Sequence, residues 1–395
     1  MGNLSGGPVG GYAGGWRRLK EEILAALPQL GIDKLGFASA EPFTGLKEQL
    51  LRHREMGRES GFEEPDLDKR TQPELHLPGA RSILSIALAY PSKLQDPPRS
   101  GPGAPRGMMA RTAWGEDYHR VLADRLNRLA AFIRERVPEA RIEMMVDTGA
   151  LSDRAVAERA GVGWIGKNCS IITPEFGSWV YLGEMITDLP FPPDTPLGDG
   201  CGDCTLCLDA CPTDAFAGPR QLNAKRCLSF WTQSKDIIPE EFRVPLGNRL
   251  YGCDTCQQVC PKNKGKYAVH NAELQPLPEQ AKPLLLPILA MSNKEFKEAF
   301  GSTAAAWRGR KPIQRNAVLA LGLFRDPETL PELRHILLAD PRPELRAAAA
   351  WSIGRMGGDI ASRILETALA EEKDPSVRDE IGLCLLPLEE RAGYE

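Results

Sequence analysis

Eight of the ten cysteines fall within sixty residues, in two runs that each end in Cys-Pro. The first reads Cys201-Gly-Asp-Cys204-Thr-Leu-Cys207-Leu-Asp-Ala-Cys211-Pro212. The second reads Cys253-Asp-Thr-Cys256-Gln-Gln-Val-Cys260-Pro261, with Cys227 upstream as a fourth thiolate. Four cysteines at this close spacing, followed by proline, suit a four-iron cluster. Two such clusters need eight thiolates, and eight are present. A segment that must wrap two inorganic clusters folds around its metals rather than around a large apolar core.

The C-x2-C-x2-C-x3-C-P run matches the bacterial ferredoxin pattern, in which the fourth cysteine of each run serves the other cluster. On that crossed scheme Cys201, Cys204, Cys207 and Cys260 hold one [4Fe-4S] cluster. Cys211, Cys227, Cys253 and Cys256 hold the second. A disulfide framework would call for an oxidising compartment, and no apolar signal segment opens the sequence. Zinc is the other competitor, but zinc ribbons use separated pairs rather than four packed cysteines. Cys169 and Cys384 lie outside the pattern, and Cys384, in an apolar helical stretch, reads as a small core residue.

At 395 residues, two or three domains are expected. A hydrophobic content of 42% with 26% charged residues is ordinary for a globular protein. No apolar run is long enough to span a bilayer, so a cytoplasmic protein without membrane contact is expected. The net charge of −4 means that any nucleic-acid partner must be met by a local basic patch.

Residues 1–15 are Gly-rich and read as a flexible tail. From Trp16 the pattern predicts an amphipathic helix, then a short strand over KLGFASA. Ser82–Tyr90 is nearly all apolar, which predicts a strand buried on both faces. Residues 91–107 hold five prolines and three glycines and predict a long surface loop. A helix near 117–136, a strand over 141–146, a helix near 152–160 and strands near 169–173 and 179–185 follow. The fold class expected is α+β, with an α/β reductase domain over 16–195 and a ferredoxin-like two-cluster domain over 196–265. Helical repeats follow over 285–390. Within them Arg315–Gly322, Arg346–Gly354 and Arg378–Cys384 recur at spacings of 31 and 32 residues, punctuated by Asp-Pro steps. Such repeats resemble HEAT-like solenoids, which often bind large partners.

A two-cluster ferredoxin needs about a fifth of this length, so the remainder should build a site where electrons are spent. The most unusual stretch runs from Val146 to Ser170. Gly161-Val-Gly163-Trp-Ile-Gly166 within it fits GxGxxG, but the helix precedes the glycines and a strand follows. That is the reverse of a dinucleotide-binding turn, which is therefore rejected. The glycines can still bring bare backbone close to a large ligand. Asp147 closes an apolar strand; either desolvation raises its pKa and makes it a proton donor, or it merely caps the following turn.

The string VDTGxLxDRxxAxRAGxGWIGKN, the cysteine pattern and the C-terminal repeats together resemble the epoxyqueuosine reductases, over roughly residues 18–390. The resemblance implies a cobalamin-dependent iron–sulfur enzyme acting on tRNA that carries epoxyqueuosine at the wobble position. It implies that Asp147 is the proton donor. It also implies that Arg70, Lys167, Asn168 and Ser170 contribute to a cobalamin pocket, with Arg111 and Ser229 as further contacts. Asp117-Tyr-His119 looks like the start of a DxHxxG cobalt-binding signature, but Leu122 stands at the glycine position. His119 is therefore expected to hydrogen-bond rather than to ligate cobalt.

Electrons would pass from an external low-potential donor through the clusters to cobalt, and a monomer is expected. Two basic stretches could track tRNA phosphates: Lys262, Lys264 and Lys266, and Arg308, Arg310, Lys311 and Arg315. Each could equally be a solvated charged face. One competing function is a corrinoid iron–sulfur reductase of a small molecule, of the dehalogenase kind. Another is a non-catalytic electron carrier or RNA-binding scaffold.

Overall fold

The computed structural model describes residue 12 and residues 15–386. The expected tail over 1–15 lies, but for Tyr12 and Gly15, outside the described residues. The chain forms two compact units, each assembled from three segments. The first comprises 1–92, 117–225 and 255–275; the second comprises 93–116, 226–254 and 276–395.

In the first unit, helix α1 (Gly15–Leu30) buries Leu19, Ile23, Ala26 and Leu30, a stripe at helical spacing. Gly31, at φ +68°, ends it. Strand β1 (Lys34–Ser39) follows, then helix α2 (Thr44–Glu55), which carries no fully buried residue and which apolar periodicity did not reveal. Strand β2 (Ser82–Ala89) is buried at all eight positions, as its unbroken apolar run predicts. Helix α3 (Tyr118–Arg134) is capped by the Asp117 side chain and buries seven residues. Strand β3 (Ile142–Met145), helix α4 (Asp153–Arg159) and strand β4 (Val180–Thr187) complete the layer structure.

The sheet order is β1-β2-β4-β3, and every neighbouring pair is antiparallel. Both faces are nevertheless covered. Leu84, Ile86 and Leu88 join α1 and α3 in one core, while Ile83, Ala87 and Ile186 join α4 in another. Antiparallel sheets commonly leave one face wet. Here the alternate residues of β2 feed two cores, so neither face of the strand is polar.

The second unit is mainly helical. Helices α7 (Arg310–Phe324), α8 (Leu330–Ala339), α9 (Pro343–Met356), α10 (Gly358–Glu371) and α11 (Pro375–Leu385) form its repeats; α5 and α6 belong to the cysteine region below. The repeated glycines permit close crossings. A Cβ on Gly322 of α7 would lie 2.6 Å from Ser352 Cα on α9, and one on Gly354 would lie 2.9 Å from Cys384 Cβ on α11. Cys384 is thus the small core residue expected. Asp326 and Asp374 accept backbone N–H groups at helix starts with Pro at the first turn, which explains these two Asp-Pro steps; Asp340 instead ends α8.

The repeated arginines are held by backbone carbonyls and carboxylates. Arg315 is 2% exposed and donates to the carbonyls of Trp231 (2.7 Å), Ser234 (2.9 Å) and Asp236. Arg346 forks onto Glu372 at 2.7 and 2.9 Å. Replacing Arg315 by Ala leaves several buried carbonyls without donors, each worth about 1–3 kcal/mol. We expect Arg315→Ala to lower stability by about 3 kcal/mol or more in denaturant titrations followed by helical circular dichroism, with Arg315→Lys recovering only part, since it lacks the fork.

Candidate active site

Strand β3 delivers the chain to Asp147, which adopts a left-handed φ of +48°. The Thr148 N–H turns back onto the Val146 carbonyl, and the Asp147 N–H donates to Asp153 Oδ2 at 3.2 Å. These contacts direct the carboxyl toward the start of α3. There the Tyr118 hydroxyl donates to Asp147 Oδ2 at 2.9 Å, and His119 Nε2 stands 3.3 Å from the same oxygen. His119 Nδ1 is 2.7 Å from Asp117. Tyr118 is clamped between the His119 ring (4.2 Å) and the Tyr181 ring (4.5 Å, 7° apart). The Asp147 side chain remains 59% exposed, so a substrate can reach it.

The electrostatics differ from the first of the two readings of Asp147, that desolvation raises its pKa. Its carboxyl is held below the usual range, chiefly by the hydrogen bond with His119, against an opposing effect of burial. Hydrogen bonds to Asp117 and then to Asp147 push His119 up to about 9. At neutral pH the proton of this pair sits on the imidazole, with both ring nitrogens facing carboxylates. His119 thus interacts through hydrogen bonds and charge, as expected. Behind Asp147, two carboxyls that sequence reasoning missed are raised instead. Burial pushes Asp153 up and pushes Glu184, fully buried on β4, well up. Asp117-Tyr118-His119 was visible as a motif, but nothing local linked it to Asp147, 28 or more residues on.

The cysteines of the first run converge with one of the second. Cys201, Cys204, Cys207 and Cys260 line one cavity together with Lys167, Asn168, Ile172, Pro261 and Lys262. Helices α5 (Leu206–Asp209) and α6 (Thr255–Gln258), carrying Cys207 and Cys256, pack together. Burial, and then the neighbouring thiols, raise the pKa of Cys207. Burial also raises that of Cys260, where Cys201 and Cys204 add to it. Four cysteine sulfurs lining one cavity are the donor set that a four-iron cluster takes, so the site fits one. Gly200 is needed just before the run, because a Cβ there would lie 2.4 Å from the Trp164 ring. Cys211 accepts from the Ala215 N–H at 3.3 Å in the first unit, whereas Cys227 and Cys253 belong to the second.

The residues expected around a cobalamin are distributed as follows. Asn168 is 5% exposed, and its Nδ2 has no hydrogen-bond partner. Its Oδ1 accepts from the Ser170 N–H. Arg70 is half-buried, its pKa lowered by burial, with Glu63 as the first compensating charge. An orphaned amide donor and a partly desolvated cation fit a large polar ligand. In the second unit, Arg111 donates through its backbone N–H and Nη1 to Asp254 Oδ2, both at 2.9 Å, and Ser229 Oγ accepts from Gln233.

The glycine-rich stretch does not offer bare backbone to a ligand as expected. A Cβ on Gly163 would lie 2.5 Å from the Ile172 carbonyl, and one on Gly161 2.6 Å from that of Thr195. These glycines let the chain pack against itself. The basic run entering the repeats is also structural. Besides buried Arg315, Lys311 pairs with Glu344 and Arg310 donates to Asn293 and to the Met291 carbonyl. Lys262 and Lys264 are exposed, while Lys266 donates to the Pro174 carbonyl.

Three family models match the chain: "Epoxyqueuosine reductase QueG, DUF1730" over 70–148, "4Fe-4S double cluster binding domain" over 200–263, and "HEAT repeats" over 304–385. The epoxyqueuosine reductase of Bacillus cereus is 54% identical over 373 residues, covering 94% of this chain and 98% of the relative. The chain belongs to the epoxyqueuosine reductase family. It is accordingly an oxidoreductase with an iron–sulfur domain, of α+β fold with HEAT repeats. The epoxyqueuosine reductase of Staphylococcus aureus is 50% identical, with 94% and 98% coverage. A solved epoxyqueuosine reductase in complex with an epoxyqueuosine-modified tRNA-Tyr stem loop superposes with a TM-score of 0.91 at 54% identity, covering 93% of this chain and 98% of that one. Another, from Bacillus subtilis, has its catalytic aspartate loop swung out of the active site, with the same score and coverage.

The raised His119 pKa fixes the sign of a pH effect. Its contribution to stability is fully present below about pH 6.5 and is lost as pH rises through about 9. After discounting for partial exposure, we expect His119→Gln to cost about 1–2 kcal/mol at about pH 6 and little at about pH 10. The wild-type-minus-variant difference in melting temperature, followed across that range, checks it.

Proposed function

We propose that this chain reduces epoxyqueuosine to queuosine at the wobble position of tRNA. Cob(I)alamin would be supplied with electrons by two [4Fe-4S] clusters, and Asp147 would be the proton donor. The observation that carries this reading is the exposed Asp147 carboxyl with protonated His119 beside it, in a chain whose relatives bear this activity in their names. The relative solved with a modified tRNA stem loop supports tRNA as the partner.

Cys201, Cys204, Cys207 and Cys260 would hold one cluster, and Cys211, Cys227, Cys253 and Cys256 the other. Arg70, Lys167, Asn168 and Ser170, with Arg111 and Ser229 from the second unit, would contact cobalamin. When bound, cobalamin supplies a strongly reducing metal centre that side chains lack. An external low-potential donor would refill the clusters. Among the described residues no helix is long and apolar enough to cross a membrane, in keeping with the cytoplasmic location we propose.

Conversion of the epoxide to an alkene takes up two electrons and two protons and releases the oxygen as water. The departing oxygen therefore needs a proton at the moment it becomes basic. In this reading Asp147 would pass that proton on, and His119, 3.3 Å behind it, would replace it. Tyr118, held by ring stacking, keeps Asp147 Oδ2 oriented. Swinging of the Asp147 loop would admit and release the bulky nucleoside, as the swung-out loop of the Bacillus subtilis relative suggests.

Asp147→Asn is expected to lower turnover of epoxyqueuosine-containing tRNA by about 100-fold or more, while iron content and cobalamin binding stay at wild-type levels. Full turnover in that variant would refute the donor role. Cys260→Ser is expected to remove one cluster, so that anaerobically purified protein carries about half the iron of wild type. Retention of all the iron would contradict the crossed ligand scheme.

A further inference from the structure

Glu184 lies in mid-sheet on β4, in register with Ser85 on β2 and Met145 on β3. Its side chain is 0% exposed and belongs to the face that α4 covers. Neither Glu184 oxygen receives a hydrogen bond from a conventional donor, and Ser85 Oγ beside it is also without a partner. Its contact is carboxyl to carboxyl, with Asp153 at the first turn of α4. An ionised Glu184 there would be a buried charge with no cation against it, costing several kcal/mol. The side chain is therefore held as the neutral acid, with burial the main cause and the charges of Asp153 and Asp147 adding to it. The cation Arg154 acts on Asp153 and Asp147.

A neutral Glu184 is a hydrogen-bond donor and Asp153 its acceptor. Asp153 in turn accepts the Asp147 N–H through Oδ2 at 3.2 Å. That bond holds a non-glycine residue in the left-handed region, a conformation that costs about 1–2 kcal/mol when unsupported. We propose that Glu184 and Asp153 form a buried acid latch that positions the Asp147 loop, Glu184 donating to Asp153 and Asp153 anchoring the Asp147 backbone. The latch acts through Asp147 and so rests on the donor reading above, but its structural consequence can be measured separately. Both are positioning residues; neither touches the reacting atoms.

Hydrogen–deuterium exchange of the cluster-loaded full-length chain reads the loop through a peptide covering residues 146–151. Glu184→Leu cannot donate, and is expected to lower protection there about tenfold while α3 peptides stay protected. Glu184→Gln can donate but cannot ionise, and is expected to keep wild-type protection. In turnover, Glu184→Leu should lower kcat about tenfold with the KM for the modified stem loop within about twofold, and Glu184→Gln should recover most of that loss.

Unchanged loop protection in Glu184→Leu, or loss of protection in Glu184→Gln equal to that in Glu184→Leu, overturns the latch. If Glu184→Leu loosens the whole unit, Glu184→Gln decides alone: lost loop protection overturns the latch, and wild-type protection with most of the wild-type kcat upholds it. Full activity of Asp147→Asn would refute the donor reading and leave the exchange result to stand or fall by itself.

Discussion

Much of the first unit follows from the pairing of two eight-residue strands, β2 and β4, both of whose faces are buried. A strand pair covered on one side by α1 and α3 and on the other by α4 has no wet face on which to place a polar residue. A carboxylic acid at its centre must therefore find a partner inside. Glu184 finds Asp153, and Asp153 holds the amide of Asp147, so the geometry of the exposed carboxyl is set from within the sheet. Across the loop, α3 supplies Tyr118 and His119 from its capped first turn. The exposed carboxyl thus stands on a buried support.

The electrostatics of the site divide into two layers of opposite sign. Outside, His119 carries a proton between Asp117 and Asp147, and Asp147 is a carboxylate. Inside, burial keeps Glu184 neutral. For Asp147 to be the proton donor we propose, its depressed pKa calls for a second group that restores the proton, and the imidazolium is at hand. This arrangement replaces the simpler idea of a single desolvated aspartic acid.

The elements read from periodicity are those with a strong apolar signal: α1 through its stripe, β2 through its unbroken run, and the terminal repeats through their recurring Arg and Gly. Helix α2 escaped because it buries no residue fully, so no face is marked. The division into two units, each built from three separated segments, has no local signature. Within the site, the cysteines stood out because their spacing is itself chemical information, and Asp147 because it closes an apolar strand. Glu184 was not, because one acid in an apolar strand looks like a surface position until the other face is seen to be covered. The glycines of 161–166 invited a ligand-binding reading, but close packing against the Ile172 and Thr195 carbonyls explains them. Arg315 likewise looked like a phosphate contact, and burial turned it into a scaffold for backbone carbonyls.

The central claim is that electrons gathered by the cysteine-held clusters are spent on an epoxide in tRNA. The most direct measurement incubates the cluster- and cobalamin-loaded protein anaerobically with epoxyqueuosine-containing tRNA and a strong reductant, then digests the tRNA and weighs the nucleosides. The account predicts that epoxyqueuosine is replaced by queuosine, lighter by one oxygen atom, with two electrons consumed for each one formed. Epoxyqueuosine left intact by fully loaded, reduced protein would contradict it.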